Sequence, residues 1–181
     1  MLLSPITLPT YTIADLDAFP ADGQRYELLQ GFLLVTPAPG SRHQFVAARL
    51  VTALSTWLGS AAFVAGPGVV EHAPGVRLEP DVLVVPAPLA ESFKWADFTG
   101  HWLAVEVYSR GSQRYDHDYK RDAYLALGVR EVWLVDLDER CVLVSRIDGA
   151  RDQRATDTLR WHPVEMATEF VLSLERLFAG L

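Results

Sequence analysis

Pro80-Asp81-Val82-Leu83-Val84-Val85 and Trp102-Leu103-Ala104-Val105-Glu106-Val107-Tyr108 are the two stretches that decide how this chain folds. Each is short, apolar and rich in β-branched residues, the composition of a core strand, and each holds one carboxylate. A carboxylate inside such a strand is strongly disfavoured unless it meets a cation, a hydrogen-bond network or a metal. Side chains alternate along a strand, so Ala104, Glu106 and Tyr108 share one face while Leu103, Val105 and Val107 share the other. If the strand carrying Asp81 pairs beside this one, the two carboxylates converge near one end of the sheet. The Val107 carbonyl can then add a third oxygen, giving a half-shell suited to Mg²⁺ or Mn²⁺. The same residues also fit a structural arrangement, with Asp81 capping a turn and Glu106 bridged to an arginine.

Outward from these strands, the hydrophobic period assigns the remaining elements. Tyr26 to Thr36 reads as a hairpin or bent strand turning near Gln30-Gly31 and ending at Pro37. Ala47, Leu50, Val51, Leu54, Trp57 and Leu58 form the apolar stripe of a helix from Ser41 to a stop at Gly59. Residues 61–65 and 75–78 read as further strands. Gln113 to Leu127 reads as a second main helix ending at Gly128. Glu131–Asp136 and Arg140–Arg146 read as strands, Asp148–Thr158 as an exposed loop, and Leu172–Phe178 as a closing helix. Near the N-terminus, Thr12 is the expected N-cap of a short helix over Tyr11–Phe19. The order predicts an α+β, or mixed α/β, fold: a mixed sheet flanked by helices. One domain over residues 1–181 is expected, with a core at 26–146, a brace at 1–25 and an extension at 147–181.

Composition narrows the functional classes. A chain of 181 residues that is 50% hydrophobic can bury a substantial core. Its formal charge of −7 argues against a broad, sequence-independent grip on nucleic acid, so an anionic substrate has to be met locally. Cys141 is the single cysteine, which excludes an intramolecular disulfide and a cysteine-rich zinc site and points to a reducing, cytoplasmic compartment. Residues 1–10 lack the pattern of a secretion signal, and the uncharged stretch from Leu50 to Val70 is broken by Gly and Pro, so neither export nor a membrane span is expected.

Lys120 is the next candidate. The chain has sixteen basic residues but two lysines, Lys94 and Lys120. On a helix entered from the Glu106 strand, Lys120 shares a face with Asp116 and Tyr124 and can return to the carboxylates. There its ammonium can orient a water or stabilise charge on a phosphate. The alternative is a surface ion pair with Asp116. Asp116-His117-Asp118 is not a metal cluster, because consecutive helical residues point about 100° apart. No phosphate-binding Gly-rich loop and no nucleophile elbow is present.

Taken in order, Tyr26-Glu27-Leu28-Leu29-Gln30-Gly31, Pro37, His43, Pro80-Asp81, Val105-Glu106-Val107-Tyr108-Ser109, Asp116 with Lys120 and Tyr124, and Gly128 to Asp136 resemble the Uma-type putative restriction endonuclease family. That family belongs to the PD-(D/E)XK nuclease superfamily, and the resemblance covers about residues 26–146. It implies a metal-dependent endonuclease acting on DNA, with Asp81, Glu106 and the Val107 carbonyl as metal ligands. The superfamily's lysine two residues after the glutamate is here Tyr108, and the resemblance maps its role onto Lys120. Glu27 matches an auxiliary acidic residue that binds a second metal or holds a water. Its alternative is a hydrogen bond inside the Tyr26–Gly31 turn. His43 matches a family histidine and is expected to pack or to support the site from behind. Between residues 110 and 130, five basic residues (Arg110, Arg114, Lys120, Arg121, Arg130) outnumber three acidic ones, a surplus that can guide a phosphate backbone or simply face solvent. Cutting both strands of a duplex suits a homodimer. Two other classes remain open: a catalytically silent nucleic-acid or protein-binding module, and a hydrolase of smaller phosphoesters.

Overall fold

The computed structural model describes residues 10–90, 92–109 and 119–181. Its elements run α1 (Ile13–Leu16), β1 (Arg25–Leu29), β2 (Phe32–Thr36), α2 (Ser41–Leu58), β3 (Ala62–Ala65), β4 (Val70–His72), β5 (Val76–Leu78), β6 (Val82–Pro86) and α3 (Ala87–Ala90). They continue with β7 (Leu103–Tyr108), α4 (Arg121–Ala126), β8 (Glu131–Asp136), β9 (Cys141–Arg146), β10 (Gln153–Ala155), β11 (Thr158–Trp161), β12 (Phe170–Ser173) and α5 (Leu174–Leu177). The fold is mixed α+β, as expected.

The described residues form three sheets. The largest has the order β10-β9-β8-β7-β6-β3 and is mixed: β7 and β8 are parallel, and its other neighbours are antiparallel. Parallel neighbours need a long crossover, and the connection containing α4 supplies it. A second sheet, β2-β1-β5-β4, carries the N-terminal hairpin, and β11 pairs with β12 in a third. The hairpin turns where sequence places it. Gln30 and Gly31 have φ of 52° and 84°, the left-handed pair of a tight two-residue turn, for which glycine removes the Cβ penalty at the second position.

Among the described residues, two apolar cores cover the two faces of the large sheet. On one face, Val46, Leu50, Leu54 and Leu58 of α2 lie four residues apart and pack on Val82, Val84, Leu103, Val105 and Val107. The C-terminal Trp161, Phe170, Leu174 and Phe178 complete that core. On the other face, Leu83, Val85, Ala104 and Tyr108 pack with Tyr124, Leu125 and Val129, and with Val70, Val76 and Leu78 of the second sheet. Alternation along β6 and β7 thus divides the residues between the cores, and Glu106 belongs to the second face.

Four expectations need correction or trimming. Residues 148–158 are not a loop throughout: Gln153–Ala155 pair with β9 as an edge strand, polar because its outer side faces solvent. The closing helix is shorter, because residues 170–173 are drawn into β12. The N-terminal helix keeps its Thr12–Asp15 capping box but spans four residues. Of the second main helix, Arg121–Ala126 is helical and stops before Gly128, whose φ of 88° suits its role past the helix end. Gln113 to Asp118, with Asp116, lie outside the described residues, as do Arg110 and Arg114. Among the described residues no helix is long and apolar enough to cross a membrane.

Candidate active site

β6 and β7 pair with Val82 opposite Val105 and Leu83 opposite Ala104. Continued by one step, that register sets Asp81 opposite Glu106, on the face that Leu83 and Ala104 turn to the second core. The carboxylates therefore share one side of the sheet, at the end where β6 begins and β7 finishes. Both are buried, at 4% and 2% exposure. Both nevertheless line a cleft of about 670 Å³. One wall of the cleft is the segment from Leu33 to Gly40, which runs from β2 into α2; Arg25, His43, Val107, Ser109 and Lys120 lie among the other lining residues.

Asp81 is held by three donors. Arg25 Nη1 donates to Oδ1 at 3.0 Å, the Val107 N–H donates to Oδ2 at 2.8 Å, and His43 Nε2 lies 2.9 Å from Oδ2. Burial opposes the charge, but His43, Arg25 and the Val107 amide outweigh it and keep this carboxyl below its ordinary range. The carboxylate thus does more than cap a turn. In a strand the N–H and C=O of one residue point to the same edge, so the Val107 carbonyl also turns toward β6 and Asp81.

Glu106 meets a different set. Tyr124 Oη donates to Oε1 at 2.5 Å, and Lys120 Nζ lies 3.3 Å from the same oxygen. Burial and the neighbouring carboxylates push the Tyr124 phenol well above its usual value, so it stays a neutral donor. Lys120 Nζ is also 2.7 Å from Glu27 Oε2, a close charge contact without aligned hydrogen-bond geometry. The other Glu27 oxygen accepts the Glu79 N–H at 2.7 Å. At 2% exposure, Lys120 is a buried ammonium between two carboxylates, which overturns its reading as half of a surface pair. Glu27, likewise fully buried, reaches this cluster from the second sheet and makes no hydrogen bond inside its own turn.

Of the residues singled out from sequence, Asp81, Glu106, Val107, Lys120 and Glu27 come together, with His43 bonded directly to Asp81. Tyr108 does not join them. It is buried in the second core beside Asp136, its partner in register on β8, and burial raises its phenol above the ordinary value. Position 108 is thus spent on packing, while Lys120 reaches Glu106 from the N-terminal boundary of α4. Arg25 was missed. Its signal was present: residues 25 and 27 share a strand face, so an arginine two positions before Glu27 points toward the same site.

The donors at this end of the sheet are hard oxygens, two carboxylates and a carbonyl, the type that Mg²⁺ and Mn²⁺ prefer. Among the described residues no group of three or more His, Cys, Asp or Glu is arranged to hold a metal. The set fits an ion that takes one or two carboxylates and keeps several waters, rather than one enclosed by protein.

Comparison with known proteins bears on the family and the fold. The sequence model of a family described as "Uma2: Putative restriction endonuclease" matches residues 13–177. A solved structure, described as a putative nuclease belonging to DUF820 from Anabaena variabilis ATCC 29413, shares the fold with a TM-score of 0.75. The two are 18% identical, and the alignment covers 93% of this chain and 97% of the other. No curated protein matches the chain.

Proposed function

The chain belongs to the Uma2 family of putative restriction endonucleases, and from that premise we propose that it hydrolyses phosphodiester bonds in DNA with the help of a divalent metal. One observation carries the reading: two buried carboxylates on neighbouring strands face one cleft, and the buried Lys120 ammonium lies against one of them. In this reading Asp81 and Glu106 are the metal ligands, with the Val107 carbonyl beside them. Mg²⁺ bound there would lower the pKa of a water and neutralise charge on the scissile phosphate. Lys120 orients the attacking water or stabilises the phosphate oxygens as the water oxygen bonds to phosphorus and the P–O bond to the leaving strand breaks. Glu27 fixes the ammonium, and Tyr124 fixes the Glu106 carboxylate. A homodimer would bring two such sites to a duplex.

The test is plasmid cleavage in Mg²⁺, in Mn²⁺ and in EDTA, by the wild type and by Asp81→Ala and Lys120→Ala. The expected result is metal-dependent nicking that both substitutions remove. Cleavage unchanged in both variants would sink the site. DNA binding without cleavage by the wild type would favour a silent binding module. Turnover of small phosphoesters in place of DNA would redirect the substrate class.

A further inference from the structure

Asp81 and Arg25 are drawn together from separate sheets. Arg25 opens β1 of the second sheet yet reaches the residue that precedes β6 of the first. Its Nη1 bonds Asp81 Oδ1 at 3.0 Å and the Glu79 carbonyl at 3.2 Å, and its Nε lies 3.7 Å from the Glu79 carboxylate. The other Asp81 oxygen is already taken by His43 and the Val107 amide. Oδ1 is therefore the oxygen that a cation entering the cleft must take, and Arg25 is the group sitting on it. The guanidinium is also a lining residue of the cleft, with 17% of its side chain exposed.

We propose that Arg25 is the phosphate ligand of this site, parked on Asp81 in the free protein and transferred to a phosphate oxygen when a divalent ion takes Asp81 Oδ1. The inference rests on reading the cleft as a phosphodiester site. Its logic is charge and shape. A guanidinium and a divalent ion compete for one carboxylate oxygen, and a displaced guanidinium in a cleft has a planar fork of donors that matches a phosphate. The Glu79 carbonyl and carboxylate keep the arginine anchored near its starting place, so the transfer needs a side-chain rotation rather than a backbone movement. Lys120 cannot take this part without leaving Glu27 and Glu106.

The experiment needs no turnover. Mn²⁺ affinity is read from the electron paramagnetic resonance signal of the free ion, and inorganic phosphate affinity by calorimetry in saturating Mg²⁺. Both are measured for the wild type, Arg25→Gln and Arg25→Lys, with circular dichroism as the check on folding. Arg25→Gln should tighten Mn²⁺ about tenfold, as expected when a cation is removed from beside the ligand in a partly screened site, and weaken phosphate by at least about tenfold. Arg25→Lys should return Mn²⁺ affinity to near the wild-type value but recover only part of the phosphate binding, because a lysine lacks the fork. Should the glutamine variant not fold, the lysine variant decides: unchanged phosphate affinity overturns the proposal. Weakened Mn²⁺ binding in Arg25→Gln also overturns it, since Arg25 would then be organising Asp81 for the metal. A wild type that binds no Mn²⁺ would instead overturn the metal site itself.

Discussion

Asp81 and Glu131 are both buried carboxylates on the large sheet, and they sit at opposite ends of it. Glu131 opens β8 beside Leu103, where β7 begins, whereas Asp81 lies beside the point where β7 ends. Glu131 accepts from Trp133 Nε1 at 2.6 Å and from Arg146 Nε at 2.7 Å, which engages both of its oxygens, and it lines no part of the cleft. Burial raises its pKa, and Trp133 and Arg146 offset only part of that. Around Asp81 burial is also the largest influence, yet the partners win and the pKa falls. The lesson is that a buried acid is not by itself a site. What separates the two is that Asp81 is kept ionised at the wall of a cleft, next to a second carboxylate and two cationic side chains, while Glu131 is closed off by its own partners.

The largest effect should come from exchanging charge for an amide at each end. Asp81→Asn is expected to lower nuclease activity on the order of 10²–10³-fold. Glu131→Gln should leave the rate per folded molecule unchanged and act on stability alone; nicking rates normalised to folded protein check both. Next comes removal of the cations. Lys120→Ala leaves Glu27 and Glu106 without their shared buried ammonium and should destabilise the fold by about 3–5 kcal/mol in urea unfolding. Arg146→Ala should cost about 1 kcal/mol, because that side chain is 41% exposed and water can replace it. Equal losses in the two variants would break the comparison. A finer cut is Tyr124→Phe, which removes a neutral donor from Glu106 and is expected to cost about 1 kcal/mol in the same measurement.

The smallest effect is pH dependence, and it has opposite sign at the two ends. The folded pKa of Asp81 is depressed, so its stabilisation is complete above the ordinary aspartate value of 3.8 and is lost as pH falls through the folded value. The folded pKa of Glu131 is raised, so its cost is fully present above that value and is relieved as pH falls toward 4.5. Unfolding free energies of Asp81→Asn and Glu131→Gln across the acid range should therefore differ from the wild type with opposite slopes. Parallel slopes would contradict the assignment.

Much of this arrangement was legible in the residues. The apolar runs around Asp81 and Glu106 gave their strands, the four-residue stripe gave α2, and Gln30-Gly31 gave the hairpin turn, because each is a local pattern with a period or a backbone demand of its own. β10 was not legible, since an edge strand of Gln153, Arg154 and Ala155 has the polarity of a loop and is made a strand only by β9. At the site, the shared face of Asp81 and Glu106 followed from alternation once pairing was assumed. For Arg25, strand alternation shows only that it shares a face with Glu27; its contact with Asp81 spans 56 residues and joins two sheets, and that pairing no local pattern encodes. Tyr108 was legible as a tyrosine on the Glu106 strand, but its packing against Asp136 and the second core was not.

The central claim, that Asp81 and Glu106 form one metal site, is tested most directly by a crystal structure soaked in Mn²⁺. The account predicts anomalous density bonded to an oxygen of each carboxylate at about 2.1 Å, with Arg25 withdrawn from Asp81 Oδ1. Strong density elsewhere, with Asp81 still held by Arg25 and Glu106 by Lys120 and Tyr124, would contradict it.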